Sequence, residues 1–384
     1  MAEFGFNEVQ LMFQDKARDF ATRVLAPGAK ERVKQNRYPK EIVKRMGEEG
    51  FQGLWIPEQY GGQPGDAVMM GITAEEFGKV DHAATLFPLL AFGIAVMLGQ
   101  CHPDAQKEWL PRVVRGEVVP CFSLSEPECG SDATALKTRA KRDGDFYVLS
   151  GEKTSITLGT EANLAGLFAT VDPSKKARGI TCFVVPLDLP GVSKIPFADT
   201  GWISLERSSV FLDDVRVPAK YRAGEEGGGF LFALEDFNVF RVMLALSALG
   251  MAETSLDEAF TYAKERRAWG RPILKFEGVS FRLVENLTKV EAARLLCYKA
   301  LWLHDQGMPF AKESAMCKYL GPVVALDAIH SAYLTFGHVG YSAEYPIEQR
   351  LRDCLGYEFA DGSADIMKLN VLRHVAGTQF LPYT

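Results

Sequence analysis

The chain has 384 residues, 47% hydrophobic and 24% charged, and a formal net charge of −6. This composition excludes a disordered or fibrous protein, and the acidic balance argues against a general nucleic-acid binder. The length leaves room for two or three domains around a large core. From the N-terminus, Val9, Met12, Phe13, Ala17, Phe20, Val24 and Leu25 recur at helical spacing behind a capping Asn7, and Pro27 ends the pattern. Pro39 suits the first turn of a second helix carrying Ile42, Val43 and Met46, which Gly50 closes. Gly61, Gly62 and Pro64 mark a loop, and helical patterns resume from about Val68 to about Val114. Within them, Ala83 to Gly99 carries no charge; it is too short for a spanning helix and contains Pro88 and Gly93, so a buried segment is expected.

The character changes near Val118. Residues 146–149, 164–171, 180–185 and 209–217 are short runs rich in β-branched and aromatic residues, separated by Gly, Asp and Pro. No long helical pattern alternates with them and GxGxxG is absent, so a Rossmann sheet is disfavoured. Beyond Gly227-Gly228-Gly229 the pattern is helical again, over 230–267, 279–306, 310–335 and 365–377. The expected fold class is α+β, with helical, β and helical domains over 1–117, 118–226 and 227–384.

Seven scattered cysteines (101, 121, 129, 182, 297, 317 and 354) with no CxxC fit free thiols in a reducing compartment. The six histidines form no HxxxH or HxH pair, so no metal site is expected. The N-terminal MAEFGFNEVQ shows no targeting pattern, and a cytoplasmic protein with no membrane attachment is expected.

Four stretches could carry chemistry. Phe122 to Asp132, FSLSEPECGSD, reads as a loop whose hydroxyls and N–H groups can ring a polar ligand, with a surface turn as the plainer alternative. Gly151 to Thr157, GEKTSIT, reads as a turn and a hydroxyl-bearing strand. At Glu265 to Gly270, ERRAWG, the planar fork of Arg266 could pair with a pyrophosphate or simply cap a helix. Gly356 to Asp365, GYEFADGSAD, reads as a loop between two helices, holding Asp361 and a capping Ser363.

With FLDDVRVP at 211–218, ERRAWGRPI at 265–273, YPIEQRLRD at 345–353 and DGSADI at 361–366 added in the same order, the chain resembles the acyl-CoA dehydrogenase family along nearly its whole length. The resemblance implies an N-terminal helical domain, a middle antiparallel β domain and a C-terminal four-helix bundle. It also implies FAD as cofactor, an acyl-CoA thioester as substrate, electron-transferring flavoprotein as partner and a homotetramer. By position, Phe122, Leu124, Ser125, Gly130, Ser131, Ser155, Thr157, Arg266, Trp269, Glu277, Leu334, His338, Ser363 and Asp365 would contact FAD. Ser131, Asn238 and Arg241 would contact CoA.

The reaction needs a carboxylate with a raised pKa in apolar surroundings. The family most often has a glutamate before a glycine; here the pair is Asp361-Gly362. A second family position for the base holds Phe240, which cannot serve, so Asp361 is the expected base. Other departures are Ser155 for a tryptophan, Glu277 and Leu334 for glutamines, His338 for a glycine and Ala360 for a tyrosine. The shorter acid resembles the cyclic-acyl branch, whose substrates resemble cyclohexanecarboxyl-CoA. A short or branched acyl-CoA, or a non-catalytic flavin-binding scaffold, are the alternatives.

Overall fold

The structure is a computed structural model that describes residues 5–382, the side chains of 230–236 excepted. α1 (Glu8–Phe20) starts at Asn7, which accepts the Gln10 N–H while the Gln10 side chain accepts the Asn7 N–H. That reciprocal pair satisfies two donors a helix start leaves open. A wider turn, Ala21–Leu25, then carries Val24 and Leu25 into the core. α2 (Ala29–Lys34) has no apolar stripe to announce it. It forms around Arg32, sunk beside Asp81 at 2.6 Å and donating to the Pro27 carbonyl at 3.0 Å. α3 (Lys40–Glu48), α4 (Ala67–Val80), α5 (Leu86–Gly99) and α6 (Pro103–Val114) follow. The stretch His82–Gly99 is long and apolar enough to cross a membrane, yet 89% of it is buried inside the protein. It is the wall between the helical and β layers.

The sheet consists of β1 (Pro120–Ser123), β2 (Arg139–Asp143), β3 (Phe146–Ile156), β4 (Leu164–Thr170), β5 (Ile180–Pro186), β6 (Val192–Pro196), β7 (Ser208–Pro218) and β8 (Arg222–Ala223). Their order is β6-β7-β3-β2-β4-β5-β8, with β1 beside β4. Pairing is antiparallel except for β1 with β4 and the single Arg139–Thr170 register of β2 with β4. Two expectations are corrected here. Phe122 and Ser123 belong to β1, so the loop begins at Leu124. Gly151 is not a turn: it lies inside β3, where the register with β7 slips between Leu149 and Gly151. β2 and β6 were missed because both are mostly exposed and too polar to show a strand pattern.

α7 (Gly229–Glu265) is followed by a two-stranded hairpin, β9 (Arg267–Ala268) and β10 (Arg271–Pro272), then α8 (Glu277–Asp305), α9 (Ala311–Phe336), α10 (Ile347–Phe359) and α11 (Ala364–Ala376). The expected loop over 356–365 is shorter than read: Gly356–Phe359 complete α10, and the turn is only Ala360–Ser363. Two apolar cores result. One joins α1, α4 and α5 to α7, α8 and α9; the other lies between the sheet, α5 and α6. Phe122 and Phe237 pack against both, which places them at the seam.

Candidate active site

The loop after β1 is shaped by a buried ion pair. Lys153 points inward from β3, fully covered, and its Nζ lies 2.7 Å from Glu126 Oε1 and 3.0 Å from the Leu124 carbonyl. Glu126 also accepts the Lys137 and Thr138 N–H groups at 2.5 and 3.0 Å, and Thr154 N–H donates to the Ser125 carbonyl at 2.9 Å. Burial pushes the Lys153 amine down. Burial also works to raise the Glu126 carboxyl, but Lys153 overrides it and holds it below the ordinary range. The loop is thus pinned from beneath. Phe122, Leu124 and Ser125 stay half-buried along its edge, with Thr157 also half-buried just beyond the end of β3.

Asp361 sits in the turn between α10 and α11 with φ +52°, a left-handed conformation that aspartate tolerates better than most residues. Gly362 follows at φ +111°, where a side chain would be strained. Ser363 then caps α11 by accepting the Ile366 N–H at 3.5 Å. Arg241 Nε donates to the Asp361 carbonyl at 3.1 Å, and Lys318 Nζ donates to the Gly362 carbonyl at 3.1 Å. The Asp361 carboxylate accepts no hydrogen bond among the described residues. Burial pushes its pKa up, and Lys318 and Arg241 only partly restrain the rise. A half-buried, unpaired carboxyl of raised pKa is the chemistry a general base requires.

Aromatic rings surround this corner. Phe240 lies 5.3 Å from Phe122, 6.0 Å from Phe92 and 5.9 Å from Phe237, centroid to centroid. Trp55 continues the row 4.9 Å from Phe92 and lines an apolar cavity of about 300 Å³ with Tyr60 and Leu110.

Most of the expected site residues fall into two groups, one around the loop edge and the Asp361 turn and one distant from it, with a few exposed outliers. Phe122, Leu124, Ser125 and Thr157 share the loop edge. Asn238, Arg241 and Asp361 share the turn, where Arg241 Nη1 donates to Asn238 Oδ1 at 3.1 Å. Gly130 and Ser131 are exposed at the outer end of the loop. Ser155 is exposed with φ +61° and accepts Arg207 Nη1 at 2.6 Å, while Arg207 pairs with Asp199. Arg266, Trp269, Glu277, Leu334 and His338 form the second group, all exposed, with Trp269 at 89%. The α7 segment between Arg241 and Arg266 spans about 37 Å at 1.5 Å per residue, so this second group stands far from the turn within one chain. Asp365 is exposed and pairs with Lys368 at 3.1 Å.

Three features went unread in the sequence. Lys318 and Lys153 are lysines on the inward face of a helix and a strand, and that misplaced charge was their only signal. A cleft of about 430 Å³ beside the loop is lined by Lys137, Arg139, Lys176, Thr134 and Asp132. Its cations come from separate elements and show no local pattern.

The three domain models of acyl-CoA dehydrogenases match this chain consecutively: the N-terminal domain over residues 7–117, the middle domain over 121–215 and the C-terminal domain over 227–376. The chain belongs to the acyl-CoA dehydrogenase family. An acyl-CoA dehydrogenase of Bacillus subtilis (strain 168) is 33% identical over 380 residues, covering 96% of this chain and 98% of the relative. The Caffeyl-CoA reductase-Etf complex subunit CarC of Acetobacterium woodii is 34% identical over 369 residues, covering 95% and 97%. The solved butyryl-CoA dehydrogenase from Megasphaera elsdenii superposes with a TM-score of 0.92 at 31% identity, covering 96% and 98%.

This acyl-CoA dehydrogenase is therefore an oxidoreductase that uses FAD. The residues present fit the cofactor: among the described residues, the hydroxyls of Ser125, Ser131 and Thr157 and the Arg266 guanidinium have no hydrogen-bond partner. Of these, Ser125 and Thr157 lie by the apolar ledge of Phe122 and Leu124, as a flavin ring and its polar edge call for, whereas Ser131 lies at the outer end of the loop and Arg266 stands far off within one chain.

Proposed function

We propose that this enzyme dehydrogenates a cyclic acyl-CoA thioester between its α and β carbons, with Asp361 as the base. The supporting observation is the unpaired, half-buried Asp361 carboxylate of raised pKa, held in place by its own backbone. Asp361 takes the α-proton, and the β-hydrogen leaves with its electron pair. FAD, when bound, supplies the acceptor for that hydride. An acid one methylene shorter than glutamate leaves space beside the α-carbon, as a tertiary ring carbon needs. Half-buried Phe122, backed edge-on by buried Phe240, which in turn packs against Phe92, offers an aromatic surface that suits a ring. The basic cleft of Lys137, Arg139 and Lys176 suits the phosphates of CoA.

Steady-state turnover with cyclohexanecarboxyl-, butyryl- and octanoyl-CoA tests this reading. Fast oxidation of the linear thioesters with none of the ring rejects the cyclic substrate. No bleaching of the flavin with any thioester under anaerobic conditions favours a non-catalytic scaffold.

Our reading extends to assembly and partners. The matched stretches form the cores of units spanning 1–117, 118–226 and 227–384. Arg266 and Trp269 would meet FAD held by another copy, since one chain keeps them far from Phe122. Exposed apolar side chains on the C-terminal helices, among them Phe281, Leu295, Trp302, Leu334 and Phe359, suit burial in a homotetramer. Light scattering giving a monomer mass would reject that assembly. Electron-transferring flavoprotein is the proposed acceptor, as the name of the CarC relative suggests, and reduction of that protein in a coupled assay checks it. The cytoplasm is the proposed compartment, consistent with seven buried cysteines that form no disulfide among the described residues.

A further inference from the structure

We propose that Lys318 is a positioning residue for the Asp361 base: its ammonium ties the last turn of α10 to the turn bearing the carboxylate and supplies a charge that the carboxylate faces. The inference rests on the reading of Asp361 as base. Lys318 projects from α9, 0% exposed. Its Nζ donates to the Tyr357 carbonyl at 2.7 Å and the Gly362 carbonyl at 3.1 Å. Tyr357 lies where α10 is ending, so its carbonyl is among those a helix leaves without an internal partner. Gly362 directly follows the base. One ammonium therefore closes both ends of the segment 358–361.

From the other side, Arg241 on α7 holds the Asp361 carbonyl at 3.1 Å. Two cations from two helices grip three backbone carbonyls and leave the carboxylate itself without a hydrogen bond among the described residues. A clamp with no further role would not need a charge. A buried ammonium is costly unless a countercharge faces it, and Arg241 nearby adds repulsion. The groups facing Lys318 are Asp361, Glu358 on α10 and Arg241 on α7; burial prevails and brings its pKa down to about 8. Those facing Asp361 are Lys318 and Arg241. Burial favours the protonated carboxyl, which cannot act as a base. The two cations oppose that effect and favour the ionised form that takes the α-proton. Its neutralisation then removes their countercharge.

The test uses the FAD-loaded enzyme and whichever thioester it oxidises fastest. In Lys318→Met, with FAD retained, the acid limb of kcat/KM is expected to move up by about one pH unit, the usual size of one nearby cation. kcat at neutral pH is expected to fall roughly tenfold to a hundredfold while KM stays within about twofold. Lys318→Arg returns the acid limb towards wild type. Independently of turnover, the Asp361 carboxyl band, isolated by infrared difference against Asp361→Asn, should titrate at higher pH in Lys318→Met. An acid limb and a carboxyl band that both stay in place overturn the proposal. Should Lys318→Met fail to fold, Lys318→Arg decides alone. The wild-type rate of flavin reduction should fall through about pH 8 as Lys318 loses its proton and with it the charge the carboxylate faces. The arginine variant should lack that fall, and identical profiles overturn the proposal. If Asp361→Asn keeps turnover, the base assignment falls and this inference with it. If Asp361→Asn is inactive but the Lys318→Met profile is unmoved, only this inference falls.

Discussion

His82 Nε2 lies 2.9 Å from Asp353 Oδ2, with both side chains almost wholly buried. The other imidazole nitrogen meets Tyr357 Oη at 3.1 Å, and Tyr357 Oη meets Ser247 Oγ at 2.9 Å. Trp202 donates its backbone N–H to Asp353 Oδ1 and its indole N–H to the Asp353 carbonyl, each at 2.7 Å. Segments before α5, between β6 and β7, and on α7 and α10 thus meet in one polar chain. It fixes α10, whose Tyr357 carbonyl receives Lys318 and so reaches the Asp361 turn.

This pair predicts a pH dependence of stability. Burial works to lower the His82 pKa, but Asp353 overrides it and leaves the imidazole above its ordinary 6.5. Burial works to raise Asp353, but His82 holds it below its ordinary 3.8. The histidine contribution is complete below pH 6.5 and is lost as pH rises through the raised value. The aspartate contribution is present above pH 3.8 and is lost only as pH falls through the lowered value. The melting temperature should therefore hold on the mildly acidic side and decline towards alkaline pH. His82→Gln should flatten that decline. Asp353→Ala should lose about 3–5 kcal/mol in denaturant titration, because it strands a buried partner. An unaltered pH profile in His82→Gln counts against the charged pair.

Asp361→Asn should separate activity from stability. Asparagine tolerates the φ of +52° at this position, so the turn should survive. Removing a general base costs roughly 10²–10⁴ in rate. The folded pKa of Asp361 is raised above its ordinary 3.8, so stability is lost as pH rises through the interval between the two values. At neutral pH the native charge is therefore a burden, and the variant should melt at a higher temperature. Loss of turnover with a lower melting temperature would contradict the burial argument. Calorimetry beside turnover reads both.

Gly93 is needed where α5 meets the aromatic corner. A Cβ there would sit 2.2 Å from Phe240 Cζ and 2.7 Å from Phe122 Cε2. Gly93→Ala should cost about 1–3 kcal/mol by overpacking and displace Phe122 from the loop edge. The expected readout is weaker FAD retention on gel filtration, with the flavin spectrum altered in whatever remains bound. Full retention and an unchanged spectrum would show that the rings move aside freely.

Lys153→Met should strike the same loop from below. It leaves the Glu126 carboxylate buried with backbone donors alone. Breaking such a pair costs about 3–5 kcal/mol. Because the Leu124 carbonyl also loses its partner, FAD content should fall together with stability. Lys153→Met with Glu126→Gln should recover part of the loss, as the stranded charge is then gone. Stability and FAD content unchanged in the single variant would mean that the ion pair does not shape the loop.

Local chemistry carried much of this protein into view. The change from 3.6-residue to two-residue periodicity near Val118, and back after Gly229, depends only on neighbours within a turn or a strand. β3, β4, β5 and β7 could therefore be read, while the polar β2 and β6 could not. Asp361 before Gly362 was legible because a short acid beside a glycine is a local feature. The sequence alone determined the order of the layers and the family, and it singled out Asp361 as the candidate acid. Only the tertiary structure decided what that acid would be. Arg241 reaches the Asp361 carbonyl across 120 positions of chain, and Lys318 reaches Gly362 across 44. The proton affinity of a carboxylate depends on the water it has lost and the charges it faces. Both are set by segments distant in sequence that packing brings together.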